Sequence, residues 1–280
     1  MHYRDARIRP LVTCRNYSKG SWPLKVAPPS GTWSHRRMPW DIWLIFLLLG
    51  VIVPWRGRHR LRELLAKPFI GERERISLYA STIAFQWLAA GVAAWRAWAH
   101  GFSATQLGLS TRSPWGSIVA AIVGGGILSA LQWLNLRRMG RMPERTRARL
   151  QALSEKILPR STRERVPFFA LAVTAGICEE FLYRGFAMAA LTRSGLPLWT
   201  TVVISSLLFG VAHLYQGRSG LLGTTLLGLI FGAARVGFSS LTPVMVWHAA
   251  VDVVAGIAGP RYLIHNTVVN EHVTEMANPY

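Results

Sequence analysis

The stretch GICEEFLYRG (176–185) places two adjacent carboxylates, Glu179 and Glu180, and one arginine, Arg184, inside an otherwise apolar run. Ionisable groups in hydrocarbon are costly unless they are paired or hydrated, so they mark function by default. Of the chain's 13 acidic residues, ten lie in loops, tails or, like Asp41, at the interfacial end of an apolar run, and only Glu179, Glu180 and Asp252 fall deeper; of its 8 histidines only His213 and His248 fall within such runs. Three separate runs contribute these five groups, and Arg184 lies among them. For all six to be tolerated they must meet at one interior site.

The spacings indicate how they could work together. Glu180 and Arg184 are four apart, so on a helix they face one another and can form an ion pair. Glu179 points about 100° away from Glu180, free to face a different neighbour. Ala172, Ala175 and Gly176 precede it on its own face and are small enough to admit another helix closely. His248 and Asp252 are again four apart, as are Phe209 and His213. A carboxylate and two imidazoles around a partly dry cavity suit the activation of water. Glu179 would serve as general base, His213 would share the water or supply a proton, and His248 would stabilise a developing oxyanion. The reaction class that follows is amide hydrolysis within or beside a membrane.

The elements that must position these groups are membrane helices. The chain of 280 residues is 51% hydrophobic and only 16% charged, with 12 tryptophans, and its mean hydropathy is +0.25. These values describe an all-α polytopic membrane protein, because each spanning helix needs roughly 20 mostly apolar residues. Seven spans are expected, near 39–55, 76–98, 115–134, 166–191, 197–214, 219–235 and 240–258; the fifth and sixth are short or rich in glycine. The segment 137–165 is too charged to span. Leu150, Leu153, Ile157 and Leu158 recur there at helical spacing, which suits either an amphipathic surface helix or a solvated basic loop. The expected organisation is a basic extension (1–38), helices one to three (39–136), the basic segment (137–165), a catalytic core (166–258) and a tail (259–280). GLIFG (228–232) has the GxxxG spacing for close helix approach, and Gly124, Gly125 and Gly126 read the same way.

The formal charge of +19 first suggests nucleic acid. Its distribution excludes that partner, since the basic residues cluster in 1–38, 56–75 and 137–165 beside the apolar runs and no nucleic-acid-binding signature accompanies them. This is the positive-inside pattern. The basic loops after spans one and three belong on the cytoplasmic side, which also puts the C-terminus there. Residues 1–38 then carry their positive charge on the wrong side, so they read as a disordered extension or an over-extended start, with Met38 as the alternative beginning. An organelle transit peptide is a further reading of this Arg-rich, acid-poor leader. Cys14 and Cys178 cannot make a disulfide framework or a metal motif, and Cys178 reads as a small packing residue.

Three boxes, in order and each on a separate expected span, resemble a known family. EEFLYR (179–184), FGVAH (209–213) and HAAVD (248–252) are similar to the EExxxR, FxxxH and Hxxx(N/D) boxes of the CAAX-processing and bacteriocin-immunity (CPBP) intramembrane proteases, also called the Abi or type II CAAX protease family. The resemblance covers roughly 165–258. It implies an endopeptidase in which Glu179 and His213 activate water and His248 and Asp252 handle the oxyanion, while Glu180 and Arg184 support the geometry and Phe209 opens the second box. Its substrate would be a membrane-bound or lipid-modified peptide or protein. Separately, the high arginine content suggests a GC-rich bacterial genome, and with it the bacterial inner membrane as the location. The fourth position is often asparagine in the family. An ionised aspartate accepts hydrogen bonds only, so Asp252 would sooner orient His248 and hold it cationic than donate to an oxyanion.

The family's long description as metalloproteases leaves zinc as a chemical variant, with Glu179, His213 and His248 as a two-histidine, one-carboxylate ligand set. There is no HExxH, and the histidines stand on different spans, so no cofactor is the expectation. Two other function classes remain alongside the protease: a proton-coupled transporter using the buried Glu/His set, and a catalytically inactive membrane scaffold.

Overall fold

A computed structural model describes residues 38–111 and 113–264, and the readings made for 1–37 and for the tail beyond 264 lie outside the described residues. Among the described residues there are helices and no strands. The long helices are α1 (Trp40–Ala66), α2 (Glu72–Ala99), α4 (Pro114–Gly140), α6 (Thr162–Arg193), α8 (Arg218–Phe238) and α9 (Thr242–Leu263), and all six are apolar and long enough to cross a membrane. Shorter helices are α3 (Ala104–Leu107), α5 (Glu144–Ile157) and α7 (Leu198–Ala212). The chain is therefore an all-α, multi-pass membrane protein.

The expected fifth span, 197–214, is the short one. At 1.5 Å per residue, the 15 residues of α7 rise roughly 22 Å, less than the ~30 Å hydrocarbon thickness. Pro197 starts the helix and His213, at φ −95° and ψ 12°, ends it. A 3₁₀ turn (Leu214–Gln216) follows. Residues 144–157, in the segment read as either helix or loop, are helical.

Local chemistry sets where the helices begin. Ser161 and Glu164 form a capping box at the start of α6, which satisfies two of the helix's otherwise orphaned N–H groups. Glu164 is 2% exposed, because its carboxylate also pairs with the buried Arg75 of α2 at 3.4 Å. The Ser161 hydroxyl donates to Glu72 at 2.7 Å. At the far end of α2, Arg96 and His100 both engage Asp41 at the start of α1, the histidine at 2.8 Å. Polar clamps thus fasten both ends of α2, one to α6 and the other to α1. This is how helices associate where lipid removes the hydrophobic drive between them.

Small residues permit the close contacts. A Cβ on Gly176 of α6 would lie 2.6 Å from the Met245 carbonyl oxygen and 2.9 Å from the Ala249 Cβ of α9. Gly228 and Gly232 likewise receive Ser206 and Val202 of α7, so GLIFG serves packing. Gly124 lies against Trp247, whereas Gly126 faces open space. The Trp247 indole N–H donates to the Ala120 carbonyl at 2.9 Å. Cys178 is fully buried in the cluster that joins α1, α2, α6, α7 and α9.

Candidate active site

Helix α6 carries the densest polar group, and its geometry changes there. The regular helix runs to Glu180, and Phe181–Ala187 form a π-helical stretch, a form that recurs at functional sites. Every residue of this stretch is buried. Arg184 donates to Glu180 Oε1 at 2.8 Å, both side chains being fully buried. The guanidinium lies 4.1 Å from the Phe209 ring of α7 and 5.7 Å from the Phe231 ring of α8. Cation–π attraction strengthens where water is excluded, so this single arginine ties three helices together.

Glu180 Oε1 also meets His248 Nδ1 of α9 at 2.7 Å. That contact assigns the Nδ1–H to Glu180 and turns Nε2 toward Glu179, whose Oε2 lies 4.0 Å away. His213, at the end of α7, donates its Nδ1–H to the Phe209 carbonyl at 2.8 Å and presents Nε2 to the same Glu179 oxygen at 3.9 Å. Glu179 Oε2 is buried and has no hydrogen-bond partner. Its other oxygen, Oε1, accepts from Gln86 Nε2 of α2 at 2.6 Å. Asp252 lies one turn beyond His248, with its Oδ2 3.6 Å from Nε2 and the side chain 38% exposed.

All seven residues expected to form the site are therefore gathered in one place. One relationship differs from the sequence-based expectation: Glu180 orients His248, while Asp252 approaches the nitrogen that faces Glu179. Burial decides this. Glu180 is inaccessible and already anchored by Arg184, whereas Asp252 sits at the wetter margin. Gln86 escaped notice because it is uncharged and lies outside the boxes. Its signal was a lone amide in the apolar run of the second span, IAFQWLAAG (83–91).

A cavity of about 260 Å³ reaches Glu179 and His213 from between α1 and α2. Its walls are largely apolar, Leu49, Leu64, Phe85 and Leu182 among them, and Arg56 and Arg60 also line it. Arg60 donates to Ser81 at 3.0 Å, and Arg56 lies 5.0 Å from the Phe85 ring. The site can thus be approached by an amphipathic chain.

The three facing atoms can be tested against zinc and against water. A metal with 2.0–2.1 Å bonds to atoms 3.9–4.0 Å apart would subtend about 150° at each pair, far from a tetrahedral angle. Among the described residues no histidine, cysteine and carboxylate group has metal-holding geometry. A water about 2.8 Å from Glu179 Oε2 and His213 Nε2 subtends about 90°, near its own H–O–H angle. The arrangement fits a water and does not fit tetrahedral zinc.

Searches of curated proteins and of solved structures returned no match. A family model does match: residues 162–254 fit the type II CAAX prenyl endopeptidase Rce1-like model. The matched third of the chain runs from the start of α6 into α9 and contains all three boxes. Over this segment, the chain is similar to the Rce1-like, type II CAAX prenyl endopeptidase family.

Proposed function

We propose that the protein is an intramembrane endopeptidase that hydrolyses a peptide bond with a water activated by Glu179 and His213, without a metal. The observation that carries this reading is the buried, unpartnered Oε2 of Glu179, aimed between two imidazole nitrogens at a separation one water bridges. A water donating one hydrogen to Glu179 and the other to His213 Nε2 keeps a lone pair for attack on the substrate carbonyl carbon. Glu179 takes the proton as the new C–O bond forms. His248, as the imidazolium with one N–H on Glu180, donates the other from Nε2 to the oxyanion. Collapse of the tetrahedral intermediate breaks the C–N bond, and the proton held by Glu179 passes to the leaving amine.

In this scheme Gln86 fixes which Glu179 oxygen faces the water, Glu180 and Arg184 hold His248, and Asp252 offsets its positive charge. Phe209 contributes its carbonyl to His213 and its ring to Arg184. The apolar cavity beside α1 and α2 suits a membrane-bound or lipid-modified peptide or protein. Loop charge supports a cytoplasmic C-terminus, and the high arginine content supports a bacterial inner-membrane location.

The test compares protein termini of the native membrane with those of a Glu179→Ala allele. Uncut precursors should accumulate in the mutant. A mutant with unchanged termini but a full phenotype would favour a scaffold, and proton flux lost without any change in termini would favour a transporter.

A further inference from the structure

Helices α4 and α9 run parallel, with Trp247 beside Ala120 at one level and Tyr262 beside Gly140 near the other end. Their C-termini therefore emerge together, and between them lies an open recess of about 630 Å³, lined by none of the candidate active-site residues. Arg137 and Arg141 of α4's end and Arg261 of α9 line it, with Trp133 and Tyr262 beside them. None of the lining residues is acidic, and among the side chains described, which leave out those of 144–147 and 149, no ion pair joins these three arginines to a carboxylate.

Cations at helix C-termini are commonly explained by the helix dipole. Each helix end contributes about half a negative charge, so two ends leave roughly two of the three positive charges uncompensated. Below the recess, Ile127, Leu131 and Leu134 are more than half exposed on a helix that spans the membrane. Trp133, beneath the Arg137 guanidinium at 5.6 Å, marks the interfacial depth where aromatic residues gather. A cationic recess at headgroup level above an apolar helix face matches a ligand with an anionic head and a hydrocarbon tail.

We propose that this recess is a binding site for one anionic glycerophospholipid, its phosphate held by Arg137, Arg141 and Arg261 and its acyl chain along α4. The 280-residue chain, exchanged into phosphatidylcholine micelles, is titrated with phosphatidylglycerol, and retained lipid is counted by native mass spectrometry. One phosphatidylglycerol should be retained per chain, with phosphatidylcholine bound at least tenfold more weakly. Each basic residue near a headgroup contributes about fivefold, so Arg137→Ala/Arg141→Ala/Arg261→Ala together should weaken binding about 100-fold. Arg58→Ala/Arg62→Ala/Arg73→Ala removes equal charge elsewhere and should change it less than threefold. The corresponding triple lysine variant should retain most of the binding, which separates lost charge from lost folding. Equal weakening by both alanine triples would overturn the site, as would equal affinity for phosphatidylcholine. Inorganic phosphate competing as well as the lipid would reduce it to a free-anion site and refute the lipid assignment. Retention of lipid only after removal of residues 265–280 would assign the recess to the chain's own tail.

Discussion

Replacing Gly176 with alanine inserts one methyl group at the contact between α6 and α9. That methyl would sit 2.6 Å from the Met245 carbonyl oxygen and 2.9 Å from the Ala249 Cβ and backbone nitrogen. Two of these neighbours are backbone atoms, so no side-chain rotation relieves the clash. Restoring ordinary contact at about 3.4 Å requires α9 to retreat by roughly 0.5–0.8 Å, and close-packed interiors transmit such shifts. His248 lies within one turn of that contact. Its 2.7 Å bond to Glu180 would lengthen to about 3.4 Å, past the useful hydrogen-bond range. Misplacements near 1 Å cost on the order of 100-fold in rate, so we expect kcat to fall 10- to 100-fold with a modest change in KM. The assay uses a precursor identified from the Glu179→Ala comparison, reconstituted with purified enzyme in liposomes. Gly176→Ser should behave like alanine. Activity within twofold of the parent, in a variant with unchanged thermal stability, would refute the claim that this contact positions His248.

Three more outcomes are expected. Gln86→Leu should lower kcat about tenfold or more without changing KM, because Glu179 loses the donor at 2.6 Å that fixes its orientation; an unaltered kcat in the same liposome assay would remove Gln86 from the site. Cleavage should survive exhaustive chelation, with no stoichiometric zinc by elemental analysis; loss of activity restored only by added zinc would overturn the metal-free proposal. Arg75→Met should destabilise the protein by about 3–5 kcal/mol in detergent unfolding, because it strands the buried Glu164 carboxylate. The pair Arg75→Met/Glu164→Gln should recover much of that loss.

The membrane architecture was legible because bilayer thickness dictates long apolar runs, and six of the expected seven spans are helices of full length. The convergence of the site was legible for a related reason: charge is so costly in hydrocarbon that isolated ionisable groups must find one another. What sequence position hid was burial at helix ends. Glu164 falls in the basic segment that reads as either a surface helix or a solvated loop, yet it is buried in the first turn of α6 because Ser161 and Arg75 supply its partners. The division of labour around His248 was also hidden. Asp252 shares a helix face with it at a spacing of four, whereas Glu180 reaches it only through the packing of α6 on α9, which no local spacing reveals. Gln86 carries no charge, so a census of titratable groups passes over it. The shortness of α7 follows from His213 itself, which leaves helical geometry at the residue the site requires.

The π-helical stretch after Glu180 is equivalent to an ordinary helix that has accepted one surplus residue, with the widened turn absorbing it. Everything from Met188 onward is therefore rotated by roughly 100° from where a regular helix would have put it. The connection to α7, and with it the direction from which His213 arrives, is built on that offset. Shortening the turn by a single residue would spare every atom of Glu179 and Glu180, yet it would reset the angular phase of the helix that leads to their partner.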